Sequence, residues 1–327
     1  MKTFENIDVK SVKQAVSLLQ KLHNEKKNAL VVSGGSELLQ LMKDRVVTPD
    51  YLVNLKTIPG LSYIKEERSG LRIGALTTLT EIEENKAVQE KLLFLSGAAG
   101  EAASPQIRNA GTIGGNICQR PFCWYFRLAS FNCLRKGGEV CFAVIGDNRY
   151  HAILGGGPSY IVHPSDLAPA LIALNAQIKI AGPAGEKTIP MEKFFILPQV
   201  DARRENILKP GEIVTEVQVP YPRSGSKGFY HKVRERQAWD HAIVSVSTVV
   251  QSSGGGVRDA RVVLGGVAPI PWRAPKAEAF LRGKKLDDAT AQKAGEIALE
   301  GAMPMKDNAY KVSLAKSLIQ RALLASV

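Results

Sequence analysis

The chain has 327 residues, of which 45% are hydrophobic, enough to bury a sizeable core in two or three packed units. No run of about 18 apolar residues occurs, which excludes a membrane-spanning helix. The formal net charge is +12, but Lys and Arg are scattered and locally matched, as where Asp287 and Asp288 follow Arg282, Lys284 and Lys285. That pattern reads as a solvated face or a surface for an acidic protein partner, with no nucleic-acid partner expected. The opening residues carry Glu5 and Asp8 and no apolar core of an export signal. The expectation is a cytoplasmic chain, or a periplasmic one co-exported with a partner.

Apolar residues at Val12, Ala15, Val16, Leu18, Leu19 and Leu22 predict a helix over 10–23. A short strand, Ala29–Val32, runs into Ser33-Gly34-Gly35-Ser36, and a second helix is predicted from Glu37 to Lys43. A strand follows at 50–55. Glycines between a strand and a helix allow φ > 0 and close approach of a ligand to the main chain, so Val32–Glu37 can form a nest of amides for an anion such as pyrophosphate. Taken alone these residues favour a tight turn without a ligand, and the G-x-G-x-x-G spacing is missing.

Strands are predicted from about Leu61, including 71–75, then a helix around Thr80 to Leu93 and a run of small residues over 96–104. The segment Arg108-Asn-Ala-Gly-Thr-Ile-Gly-Gly-Asn116 gathers a cation, a hydroxyl, an amide and glycines, so that Arg108, Thr112 and Asn116 are candidates for phosphate or flavin contacts. Residues 117–162 lack periodicity and hold all four cysteines, as Cys118-x4-Cys123-x9-Cys133-x7-Cys141. Four thiols so grouped fit a structural zinc, a [4Fe–4S] cluster or two disulfides. Trp124, Tyr125, Phe126, Phe131 and Phe142 supply an apolar shell, which suits a cluster whose potential depends on burial.

Beyond the insert, a short helix is predicted over 167–174 and strands at 177–181 and 212–219. Residues 223–327 read as a separate α+β unit, with strands at 229–233, 243–251 and 257–267 and helices at 274–281, 288–299 and 309–325. No Ser/His/Asp arrangement supports substrate chemistry in this chain.

Three blocks in order, Leu30–Leu39 with its Met42-Lys43 pair, 108–116, and His163-Pro-Ser-Asp-Leu-Ala-Pro-Ala-Leu171, resemble the FAD-binding subunit of molybdenum hydroxylases, the xanthine dehydrogenase and aldehyde oxidoreductase family. The likeness continues through Lys232, Arg234, Arg236 and Asp240 to Leu264–Pro269. It implies an α+β protein with a bipartite FAD-binding domain over 1–222, split into a small α/β subdomain (1–58) and a larger α+β subdomain (59–222), and a C-terminal α+β domain over 223–327. By that resemblance Val31, Val32, Ser33, Gly34, Gly35, Ser36 and Glu37 wrap the FAD pyrophosphate. Thr112 with Gly114, Gly115 and Asn116 lines the cofactor. Asp166 hydrogen-bonds the adenosine end and Lys232 lies near the flavin ring.

Where animal xanthine dehydrogenases place an aromatic that stacks on the flavin, this chain has Ala102-Ala103-Ser104. The insert over 117–162 resembles the extra loop of the aldehyde oxidoreductase and 4-hydroxybenzoyl-CoA reductase branches, through Gln119–Arg127, Cys133, Cys141 and 148–153. That implies a [4Fe–4S] cluster on Cys118, Cys123, Cys133 and Cys141, with His151 the alternative should Cys118 not serve. The function implied is electron transfer: a molybdenum-cofactor subunit oxidises an aldehyde or N-heterocycle, a [2Fe–2S] subunit relays electrons, and this chain's FAD passes them to an external acceptor. The rivals are a self-contained flavin dehydrogenase or oxidase and a zinc-stabilised scaffold without flavin.

Overall fold

The computed structural model describes residues 1–326; Val327, the end of the C-terminal unit, lies outside the described residues. The chain begins with β1 (Glu5–Asp8), α1 (Val12–Asn24), β2 (Ala29–Val32), α2 (Leu38–Lys43) and β3 (Tyr51–Asn54). These strands form a parallel sheet in the order β1-β3-β2. The Ser11 hydroxyl accepts the Gln14 N–H at 3.1 Å and starts α1, which buries Ala15, Val16, Leu19 and Leu22.

Next come β4 (Ile64–Glu67), β5 (Gly70–Gly74), α3 (Leu79–Glu84), α4 (Lys86–Lys91) and α5 (Leu93–Gly100). The single helix expected around 80–93 is thus three. Asn85 is the reason for the first break: it is extended and its side chain accepts the Val88 N–H at 3.2 Å, so it caps α4 instead of continuing α3. Leu92, at φ −139° and ψ 43°, separates α4 from α5. The run of small residues then continues α5 up to Gly100.

After α6 (Pro105–Arg108) and α7 (Ile113–Ile117), the insert carries one helical turn, α8 (Trp124–Arg127), and 3-10 turns at 134–136 and 142–144. Then follow α9 (Leu167–Ala173), β6 (Gln177–Gly182), β7 (Gly185–Pro190) and β8 (Ile213–Pro220). An antiparallel sheet runs β4-β5-β8-β6-β7. Edge strand β7 was not expected, because its residues are almost all exposed and it has no apolar face to signal it.

The last unit is a meander of β9 (Ser226–Val233), β10 (Val244–Ser253), β11 (Gly256–Gly265) and β12 (Trp272–Arg273), in the order β12-β11-β10-β9. It packs with α10 (Pro275–Leu281), α11 (Asp288–Ala298) and α12 (Tyr310–Ala325). This unit is less separate than its sequence reads. Every residue of α9 is buried, and the helix packs against both α5 and strands β10 and β11. A helix apolar all round is one buried on all sides. At about 1.5–3 kcal/mol for each large buried side chain, Leu167, Leu171 and Ile172 join the two sheets firmly.

The insert's outgoing end is also part of that core. The N–H groups of Ile153 and Leu154 donate to the Val267 carbonyl at 2.9 and 3.1 Å. Lys311 of α12, fully buried, donates to the carbonyls of Tyr150 at 3.0 Å, His151 at 3.1 Å and Gly266 at 2.5 Å. Burial pulls its ammonium pKa down to about 7.

Candidate functional site

The β2–α2 loop meets the α6–α7 loop so closely that a side chain would not fit between them. A Cβ on Gly34 would stand 2.0 Å from the Ala110 carbonyl oxygen, and Gly35 has φ +74°. Ser33 and Thr112 share a hydroxyl hydrogen bond at 3.1 Å, and Thr112 also accepts the Gly115 N–H at 3.1 Å, capping α7. The main-chain N–H groups of Gly34, Gly35, Ser36 and Glu37 find no acceptor among the described residues. They border a cavity of about 670 Å³.

That cavity is walled by four segments: the glycine loop with α2, the α6–α7 region through Phe122, residues 162–166 ahead of α9, and the loop 235–243 from the C-terminal unit. Asn116 and Ser165 join two walls, the Ser165 hydroxyl donating to Asn116 Oδ1 at 2.5 Å. His163 Nδ1 accepts the Ser165 N–H at 3.3 Å, and burial lowers its pKa to about 3, so the ring is neutral. A cradle of glycines, free amides and hydroxyls beside a cavity of this size fits a dinucleotide with a pyrophosphate. The residues present therefore suit FAD.

Of the residues singled out from sequence, Val31 to Glu37, Thr112, Gly115, Asn116 and Asp166 line this cavity, and Arg108, Gly114 and Lys232 do not. Arg108 is engaged elsewhere, with Glu83 at 2.8 Å and the Ala102 carbonyl at 3.1 Å. Gly114 packs against the Ala75 carbonyl, where a Cβ would approach to 2.9 Å. Lys232 forms a fully buried pair with Asp166 at 2.8 Å and also donates to the Glu101 carbonyl at 2.9 Å. The other Asp166 oxygen accepts the Tyr230 hydroxyl at 2.8 Å. Asp166 and Lys232 are thus in direct contact, a link that the resemblance did not name. Burial raises the Asp166 carboxyl pKa, and the Lys232 ammonium opposes that shift.

The cysteines separate into two places. Cys118 lines the cavity and packs against the core of the larger sheet. Cys123 and Cys133 sit with Phe126, Tyr125 and Phe142 in a different apolar cluster, and Cys133 and Cys141 lie close enough for their charges to act on Cys123. Cys118 follows directly on α7, which brings it to the cavity side. All four thiols are free, and burial pushes Cys118 and Cys123 up to about 12. His151 Nε2 lies 3.2 Å from Cys123 Sγ, and burial lowers its pKa to about 4. Among the described residues no three His, Cys, Asp or Glu side chains gather closely enough to hold a single metal ion.

Some contributors were not foreseen. Arg127 of α8 reaches Glu37 at 2.6 Å, and Trp239, at φ +57°, donates its N–H to the Ala103 carbonyl at 2.9 Å beside the cavity. An isolated Arg among aromatics, and a Trp in a polar stretch, were the available signals.

Residues 2–222 match the family model of the FAD binding domain in molybdopterin dehydrogenase, and residues 229–326 that of the CO dehydrogenase flavoprotein C-terminal domain. The chain is 36% identical over 292 residues to the aldehyde oxidoreductase FAD-binding subunit of Escherichia coli, covering 88% of each chain. It is 30% identical over 328 residues to the carbon monoxide dehydrogenase medium chain of Hydrogenophaga pseudoflava, covering 99% of this chain and 96% of that one. The solved structure of the Hydrogenophaga pseudoflava carbon monoxide dehydrogenase superposes with a TM-score of 0.78 at 31% identity, over 99% of this chain and 96% of that one. By these matches the chain belongs to the FAD-binding subunits of the molybdenum hydroxylase family.

Proposed function

We propose that this chain is the electron outlet of a molybdenum hydroxylase complex, holding FAD in the cleft and a [4Fe–4S] cluster in the cysteine insert. In this reading residues 1–222 are the FAD-binding domain, with subdomains 1–58 and 59–222, and 223–327 the C-terminal domain. The observation that carries it is the row of free amides from Gly34 to Glu37 beside the cavity. Bound FAD supplies a redox centre that accepts and releases electrons. The chain's own residues position it. Val31–Glu37 hold the pyrophosphate, and Thr112, Gly115 and Asn116 shape the wall. Asp166 presents a carboxylate that Lys232 and Tyr230 fix in place.

Cys118, Cys123, Cys133 and Cys141 are the thiols assigned to the cluster, and His151, 3.2 Å from Cys123, takes the fourth place if Cys118 does not serve. Cys123 and Cys133 lie in one apolar pocket with aromatic rings, which suits a buried cluster. The partners are a molybdenum-cofactor subunit and a [2Fe–2S] subunit. Similarity to an aldehyde oxidoreductase subunit favours an aldehyde as the complex's substrate. Chain purified without oxygen should contain one FAD and about four irons with matching acid-labile sulfide. Zinc without iron would remove the cluster and leave the flavin; a colourless protein that takes up no added FAD would remove both.

A further inference from the structure

We propose that Arg127, on the cysteine insert, is a positioning residue for the flavin: it neutralises Glu37 so that the glycine loop can accept a pyrophosphate. The inference rests on the cleft being the FAD site.

Glu37 ends the glycine loop and lines the cavity, with its side chain only 26% exposed. An unpaired carboxylate there would repel the very anion that the neighbouring amides attract. Arg127 removes that conflict. Its terminal nitrogens donate to Glu37 Oε1 at 2.6 Å and Gln40 Oε1 at 3.4 Å, and its Nε donates to the Pro121 carbonyl at 3.2 Å. The guanidinium lies 4.8 Å from the centre of the Phe122 ring, which also borders the cavity. Burial raises the Glu37 pKa and Arg127 is the largest force lowering it, with Arg120 and Glu205 acting more weakly and in opposite senses. Arg120 is itself engaged with Glu205 at 2.8 Å.

Arg127 closes α8, whose N-terminal boundary is Cys123, so the fold of the insert decides where the guanidinium stands. The insert therefore supplies part of the flavin site as well as thiols. It is held on its other side by a second buried pair, Arg135 with Glu205 at 2.6 Å.

The test is FAD titration of the full chain after its flavin has been removed. Arg127→Met should raise the FAD Kd at least about tenfold, and Arg127→Met with Glu37→Gln should return it to within about threefold of wild type. That rescue separates charge neutralisation from packing, because a residue that only filled space would leave the double variant as weak as the single one. An unchanged Kd in Arg127→Met, or no rescue in the double variant, overturns the proposal. Should Arg127→Met fail to fold, Arg127→Gln takes its place: weaker binding that Glu37→Gln restores supports the proposal, and an unchanged Kd or no rescue overturns it. Wild-type chain that binds no FAD would instead refute the reading of the cleft.

Discussion

The glycine cleft and the cysteine insert are neighbours that share Cys118, Gln119, Arg120 and Phe122 along one wall, yet they are built in different ways. In the cleft, main-chain atoms do the work: free amides, a Gly34 pressed on the Ala110 carbonyl, and a hydroxyl link between Ser33 and Thr112. Regular elements on each side hold these atoms in place. In the insert, side chains do the work. Its backbone is largely irregular, and its thiols are placed by packing aromatic rings such as Tyr125, Phe131 and Phe142, whose centres lie 5.1 to 6.0 Å apart. A backbone site tolerates few changes of shape but many of side-chain identity; a side-chain site is the reverse.

The largest expected effect is therefore on the cleft. Gly34→Val puts branched carbon where the Ala110 carbonyl already stands, forcing the two loops apart. FAD content should fall more than about tenfold, a loss above about 1.4 kcal/mol, with the C-terminal domain still folded. Normal flavin content in that variant would mean that the loops do not clasp the cofactor.

The next effect sharpens the contrast within the insert. Cys133→Ser should abolish bound iron while FAD is retained, since Cys133 sits in the aromatic cluster and not along the cavity. Cys118→Ser should lose the iron as well, while the FAD Kd changes by less than about tenfold. Retention of iron on replacing Cys118 would shift the fourth place to His151, 3.2 Å from Cys123. Iron content and flavin absorbance of each purified variant read both outcomes.

How far the sequence could be read follows the same division. The strand Ala29–Val32, the glycine loop and the α9 segment were legible because each is specified by adjacent residues: an apolar run, φ-permissive glycines, a helix apolar on every side. The Asp166–Lys232 pair joins residues 66 apart, and Arg127–Glu37 residues 90 apart, so neither leaves a local pattern. Resemblance named Asp166 and Lys232 separately but carried no information that they touch. The break at Asn85 was local and was outweighed by the apolar spacing on both sides of it. Strand β7 has an exposed face and an exposed edge, and nothing in its composition distinguishes it from a loop.

The central claim is that this chain receives electrons from partner subunits and has no substrate chemistry of its own. The most direct measurement is the visible spectrum of the flavin when an aldehyde is added without oxygen, first to the isolated chain and then to the complex recovered from its native host with a tag on this chain. The account predicts that the complex contains molybdenum and two further polypeptides, and that its flavin bleaches within the mixing time while the isolated chain's flavin does not. An isolated chain whose flavin is reduced directly by substrate at a comparable rate would contradict it and make the chain a self-contained flavin dehydrogenase.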